Sequence, residues 1–294
     1  MELAAINRVY FVGIGGIGMS ALARYFAKRG AVVCGYDKTR TELTIGLEHE
    51  GILISYLDDD ATLPVCFLDK NPDTLIVYTP AIPKNSVILT YFQENGFALK
   101  KRSEVLGIIS KGQFCIAVAG THGKTTTSSI VAHILTDTGY GCTAFLGGIA
   151  TNYGSNFLLS DKPVVVVEAD EYDRSFLTLH PDLAVITSMD ADHLDIYGDS
   201  MQLQESFRLF AGQLKPAIGT SGIHPDGKAL QLPDSKHADY DGNDAFKESE
   251  GLGLFIVKKI CELLKATMDV ESKPGQGTLV RIRFQVKQEP NKSA

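Results

Sequence analysis

The sequence predicts an α/β chain: two parallel-sheet units in succession, then a small α+β fragment. Three observations predict it. Two short apolar runs each feed a glycine-rich turn and then a helical pattern, first at Val9–Gly18 and again at Phe114–Thr127. Two further apolar runs, Val164–Val167 and Leu183–Thr187, each end in an acidic cluster. Strict alternation of apolar and polar residues appears only near the C-terminus, at Leu279–Val286. Strand, tight turn and helix in repeated order mark parallel sheets with crossover helices, whereas alternation marks a sheet with one wet face.

The first unit spans residues 1–107. Val9–Val12 reads as a buried strand, Gly13-Ile14-Gly15-Gly16-Ile17-Gly18 as the turn after it, and Met19–Arg29 as a helix ended by Gly30. Ala31–Tyr36 is the next strand and stops at Asp37. This is a βαβ unit with G-x-G-x-x-G in its first turn and an acid about 20 residues on, a Rossmann-like arrangement. The glycines let the backbone approach a pyrophosphate, and Asp37 is placed to accept from a ligand hydroxyl. By itself the fingerprint fits a dinucleotide and a dehydrogenase. Leu75–Tyr78 reads as a further strand, and its turn Thr79-Pro80-Ala81-Ile82-Pro83 lies where such sheets bind ligands.

The second unit spans residues 108–216 and is a P-loop-type parallel sheet, expected to be incomplete. Its turn is Gly120-Thr121-His122-Gly123-Lys124-Thr125-Thr126, a variant phosphate loop with Val118 at the usual first glycine position. Backbone N–H groups of such a turn converge on phosphates, and the helix N-terminus adds its positive end. Lys124 would reach the terminal phosphates, and the Thr125 hydroxyl would hold magnesium. Glu168-Ala-Asp-Glu171-Tyr-Asp173 closes one strand, and Ser188-Met-Asp190-Ala-Asp192-His193-Leu-Asp195 closes the next. Carboxylates beside a phosphate loop suit a hard cation, and His193 is a candidate ligand for a second metal or for a transferred phosphate.

Taken in order, Gly13–Met19, Gly120–Thr126, Glu168–Glu171 and Asp190–His193 resemble the motifs of bacterial Mur ligases over roughly residues 5–216. The resemblance is closest to members that join L-alanine to UDP-N-acetylmuramate. It implies that the first domain holds a UDP-sugar through Gly15, Gly16, Ile17, Gly18, Met19, Asp37, Thr79, Ala81 and Ile82, with Arg102-Ser103-Glu104 assisting from the domain junction. It implies an ATP site at Gly120–Thr126, with Lys124, Glu168 and His193 catalytic and Thr125, Glu168 and His193 holding Mg2+. The implied reaction makes an acyl phosphate from the lactyl carboxylate and ATP, which the amine of L-alanine then attacks. The family's third domain, which closes over ATP, is expected to have no counterpart in the residues that follow.

Residues 217–245 are rich in Gly, Asp, Ser, Lys and Pro and read as a linker. Residues 246–288 begin a new pattern. Gly251-Leu-Gly253-Leu254 opens an amphipathic helix, Phe255–Lys265, followed by a strand at Thr267–Glu271, a turn at Lys273–Thr278 and the alternating strand. This stretch resembles the end of the ATP-binding domain of sensor histidine kinases, without that family's Asn-containing helix or Asp-x-Gly-x-Gly turn. Two other readings therefore stand beside the ligase: a non-catalytic binder of UDP-sugar or ATP, and a histidine-kinase-type signalling protein.

The 294 residues are 44% hydrophobic, enough for about two cores. A net charge of −7 offers no field for nucleic acid. No run approaches a membrane span, the N-terminal apolar run stops at glycines, and the five cysteines are scattered. A cytoplasmic protein with free thiols and no membrane or nucleic-acid partner is expected.

Overall fold

The computed structural model describes residues 3–188, 200–215, 230–231, 266–273 and 277–284. The first sheet is parallel throughout. Its strands are β1 (Arg8–Val12), β2 (Val32–Tyr36), β3 (Leu53–Ser55), β4 (Thr74–Tyr78) and β5 (Ala98–Lys101), in the order β3-β2-β1-β4-β5. Its crossover helices are α1 (Ile17–Lys28), α2 (Glu42–His49) and α3 (Val87–Glu94). β1 is flanked on both sides, with Val9 paired to Val33 and to Leu75, so its residues 9–12 are all buried. That explains the unbroken apolar run: a central parallel strand has no wet face. The strand order reverses between β1 and β4, and this reversal places the turns after those two strands side by side.

Helix α4 (Arg102–Lys111) leads into the second sheet. Its strands are β6 (Phe114–Ala119), β7 (Thr143–Ala150), β8 (Ser155–Leu158), β9 (Val164–Glu168), β10 (Leu183–Ile186) and β11 (Leu230–Gln231), ordered β11-β10-β6-β9-β7-β8. All pairs are parallel except the β7–β8 hairpin. The all-valine stretch of β9 is buried between β6 and β7, as its composition requires. Helix α5 (Lys124–Asp137) follows β6, and α6 (Ser200–Ala211) packs Phe207 and Phe210 on Phe176. β11 falls within the polar stretch that composition assigns to a linker. Leu230–Gln231 pair in parallel with Val185–Ile186 and extend the sheet beyond β10. Two residues of backbone pairing carry too little apolar pattern to be read from sequence.

Near the C-terminus, β12 (Ala266–Lys273) and β13 (Gly277–Phe284) form an antiparallel hairpin in full register, from Ala266–Phe284 to Lys273–Gly277. Both strands reach the alternating pattern's expected class, with bounds shifted by one or more residues. The helix expected at Phe255–Lys265 and the glycines Gly251 and Gly253 lie outside the described residues.

The two sheets share one apolar core through α1. Tyr25 of α1 packs tilted against Phe145 of β7 and edge-to-face against Phe157 of β8, at ring-centroid distances of 5.6 and 6.2 Å. A buried polar network crosses the same seam. Arg24 is 6% exposed and Asn156 fully buried, and the Arg24 Nη1 donates to Asn156 Oδ1 at 2.6 Å. Asn156 Nδ2 donates back to the Ile17 carbonyl at 2.5 Å and to Ser20 Oγ at 3.0 Å. Arg24 Nε meets Glu50 at 2.8 Å, so its buried charge is paired. Partners on every side make such a network an orienting device, because any relative slip of the sheets would strand a buried polar group.

Two outcomes test this packing. Asn156→Ala should lower unfolding stability in urea by about 2–4 kcal/mol, because it leaves Arg24 and the Ile17 carbonyl short of partners in the interior. Burial pushes the thiols of Cys34 and Cys115 up to about 12 and that of Cys142 up to about 11. At pH 8 these three should resist a maleimide in the native chain and react in 8 M urea (roughly full unfolding).

Candidate functional site

The phosphate-loop residues leave β6 and enter α5, and the structure builds the turn around two strained glycines. Gly120 has φ 129 and Gly123, the residue capping α5, has φ 79. Both angles favour glycine over any L side chain. Gly120 also lacks room, since a Cβ there would sit 2.9 Å from Thr187 N and 2.8 Å from Ser188 N. The loop is braced from the end of β10. Thr187 Oγ1 donates to the carbonyls of Ala119, at 3.0 Å, and His122. Ser188 Oγ accepts from His122 N–H at 2.9 Å and lies 2.8 Å from Thr121 Oγ1. His122, Gly123 and Thr126 remain exposed, so the open face of the loop is the face toward the α5 N-terminus.

Lys124 and Thr125 each meet one member of the first acidic cluster. Thr125 Oγ1 donates to Glu168 Oε1 at 2.9 Å. Glu168 Oε2 accepts from Gly147 N–H at 2.8 Å and more distantly from Ser128 Oγ at 3.4 Å. Lys124 Nζ lies 2.8 Å from each oxygen of the Glu171 carboxylate, which is 1% exposed. It also donates to the Gly120 carbonyl at 2.6 Å. The chemistry of the Thr125–Glu168 pair fits Mg2+: a hydroxyl and a carboxylate are hard oxygen donors, and magnesium keeps most of its shell as water and substrate phosphate. No group of three His, Cys, Asp or Glu able to hold a metal occurs among the described residues. His193, Asp190 and Asp192 lie outside the described residues.

Sequence reasoning passed over Glu171, Ser128 and Gly147. Glu171 stands inside the acidic cluster but has no spacing signature of its own. Gly147 had a legible signal, because a glycine pair within a strand marks close approach of another group. Here a Cβ would overlap the Glu168 carboxylate.

At the first sheet the structure brings the two expected turns together. A Cβ on Gly13 would come within 3.0 Å of both Ile82 Cδ1 and Thr79 Cγ2. Gly15, Ile17 and Gly18 are half-buried, and Gly16 and Ala81 are exposed. Asp37 sits beneath this turn, where its carboxylate accepts from Gly15 N–H at 2.7 Å and from Thr39 N–H at 3.1 Å. It therefore shapes the turn as well as standing near it. Met19 turns its side chain inward. Its side chain is 2% exposed in the core, because position 19 faces inward on α1 and seats the helix on the sheet. Arg102 spans the two sites. Its guanidinium lies against Gly18, and its Nη2 is 3.3 Å from Asp170 Oδ2 in the second sheet's acidic cluster.

Residues 8–114 match the profile described as "Mur ligase family, catalytic domain", and residues 118–227 match "Mur ligase middle domain". Through these residues the chain belongs to the Mur ligase family. A UDP-N-acetylmuramate–L-alanine ligase of Christiangramia forsetii is 47% identical over 268 residues, covering 90% of this chain and 58% of that protein. One from Flavobacterium psychrophilum is 56% identical over 215 residues, covering 73% and 48%. Among solved structures, a UDP-N-acetylmuramate-alanine ligase of Thermotoga maritima superposes with a TM-score of 0.63 at 31% identity, covering 70% of this chain and 47% of its own. A UDP-N-acetylmuramate:L-alanyl-gamma-D-glutamyl-meso-diaminopimelate ligase from Neisseria meningitides gives 0.65 at 27% identity, covering 72% and 69%. The chain spans about half the length of the curated relatives it matches. Residues 220–288 match a different profile, the histidine kinase-, DNA gyrase B-, and HSP90-like ATPases. The β12–β13 hairpin lies within that second match.

The brace on the Mur ligase loop is separable from its chemistry. Thr187→Val keeps the shape and removes the hydroxyl, so unfolding stability in urea should fall by about 1–2 kcal/mol, while Thr187→Ser should retain most of it.

Proposed function

We propose that residues 8–215 form the substrate- and triphosphate-handling part of an ATP-dependent ligase that joins L-alanine to UDP-N-acetylmuramate. One observation carries the reading. A phosphate loop stands with its lysine and threonine against two carboxylates of the same strand end, and a second glycine turn opens at the reversal of the neighbouring sheet. The names of the relatives support the choice of substrates.

In this reading the lactyl carboxylate oxygen attacks the γ-phosphorus of ATP, and ADP leaves. The L-alanine nitrogen then attacks the acyl carbon, the C–O bond to phosphate breaks, and the nitrogen gives up a proton. The chain's own groups act by position and charge. Backbone N–H groups at the α5 N-terminus receive the phosphates, and Lys124 offsets the charge on the moving phosphoryl group. Thr125 and Glu168 would hold Mg2+, which supplies charge neutralisation at the phosphates. The Gly15–Gly18 turn and the Thr79–Ile82 turn face the UDP-sugar, with Arg102 between the two sites. Residues 220–288 carry a separate likeness to an ATPase family.

The test is phosphate release by the purified chain with ATP, Mg2+ and UDP-N-acetylmuramate, with and without L-alanine. Release that needs every substrate and falls by at least about 100-fold in Lys124→Ala is the expected result for a working ligase. UDP-N-acetylmuramate binding without release would favour a non-catalytic binder. Transfer of phosphate to a histidine of the chain would overturn the ligase reading in favour of signalling.

A further inference from the structure

Lys124 is the cation of the loop, yet its donors are directed at the chain's own acceptors. Nζ is 2.6 Å from the Gly120 carbonyl and 2.8 Å from each Glu171 carboxylate oxygen. The Lys124 side chain is 16% exposed and that of Glu171 is 1% exposed, so the pair lies beneath the loop and out of water. We infer that Glu171 is a positioning residue that acts as a resident anion for Lys124, and that a nucleoside triphosphate must draw Lys124 away from it to engage the loop.

The backbone around Glu171 supports this. Glu171 stands three residues beyond the end of β9 and opens the 3-10 turn Tyr172–Thr178. That turn is tightly fixed: Arg174 N–H donates to the Glu171 carbonyl at 2.9 Å, and Phe176 N–H to the Asp170 carbonyl at 3.0 Å. Phe176 is buried against Phe207 and Phe210. Arg174 has φ 54, the left-handed backbone that no other non-glycine residue adopts among those described. The carboxylate is thus presented by a rigid turn, whereas Lys124 is a flexible stem, so the lysine is the partner that moves.

The consequence is a preference among nucleotides. In such loops the lysine reaches the β- and γ-phosphates. Those groups bring negative charge next to a buried carboxylate, where it is poorly screened. A monophosphate, whose single phosphate falls short of Nζ, meets no such repulsion. Glu171 therefore lowers affinity for the triphosphate and holds the loop in order when it is empty.

The inference rests on the reading of this loop as a triphosphate site. Calorimetric titration of the full chain with β,γ-methylene-ATP plus Mg2+, and separately with AMP, tests both. Glu171→Gln should bind the triphosphate analogue about tenfold tighter than the parent, with AMP affinity changed by less than about twofold. Glu171→Asp withdraws the carboxylate by one methylene and should tighten the analogue about two- to threefold, which decides the matter if the Gln variant does not fold. Analogue binding by the parent that is lost in Lys124→Ala, with no tightening in the Glu171 variants, would overturn the inference alone. Equal changes for AMP and the analogue would also overturn it. Absence of analogue binding by the parent and by both Glu171 variants would overturn the loop reading and the inference together.

Discussion

Helix α1 is the part on which the rest of this molecule depends. Its N-terminus is the glycine turn of the first sheet, and its flank is the floor on which the β7–β8 hairpin of the second sheet lies. Apolar contact among Tyr25, Phe145 and Phe157 supplies attraction but little direction. Direction comes from Asn156, which reads both the Ile17 carbonyl and the Arg24 guanidinium. A hairpin held this way carries Gly147 to a fixed place, and Gly147 N–H in turn holds Glu168. The chain of contacts therefore runs from one glycine turn, through a buried amide, to the carboxylate beside the other loop.

In the proposed reading, an acidic chain handles anions through local groups and not through its net charge. The net charge is −7, and the two turns rely on backbone N–H groups, a helix N-terminus and a few placed cations. Those cations are each tied to a carboxylate: Lys124 to Glu171, and Arg102 to Asp170. For the Lys124–Glu171 pair, where the carboxylate is 1% exposed, pairing offsets the cost of burying charge. If Glu171 acts on Lys124 as inferred, anion binding at the Lys124 loop is an exchange of partners.

The region near residue 215 is held to the second sheet's unit by several hydrogen bonds, among them Gln213 Nε2 to the Leu177 carbonyl and Lys215 N–H to the Pro181 carbonyl at 2.8 Å. Lys215 Nζ donates to the carbonyls of Ser110 and Gln113 at 3.0 and 2.7 Å, and to Asp182 at 2.7 Å. It ties the end of α6's segment to the entry of the second sheet. Burial and the neighbouring Lys111 and Lys215 hold the His180 imidazole below its ordinary range, so this corner is already rich in positive charge. Beyond it, β11 pairs with β10 and the β12–β13 hairpin pairs only with itself among the described strands.

The order of strands and turns was legible in the amino-acid sequence because central parallel strands must be apolar throughout and their tight turns need glycine. That physics placed β1, β2, β4, β6, β9 and β10, both phosphate-type turns, and the residues Lys124, Thr125 and Glu168. Short or half-exposed strands such as β3, β5 and β8 carried too little pattern, and helix α1 hid its second role because one face of a helix looks alike whichever sheet covers it. Which acid meets which cation was decided only by the tertiary structure. Glu168 and Glu171 are three residues apart in one cluster, and only the path of β9 past α5 assigns the first to Thr125 and the second to Lys124. The surroundings of Met19 and Asn156 were likewise set by the tertiary structure. A residue beside a glycine turn is buried as a seat for its helix, and an amide 137 positions further on, counting from 19 to 156, joins the two sheets, because burial depends on what packs against a residue from distant sequence.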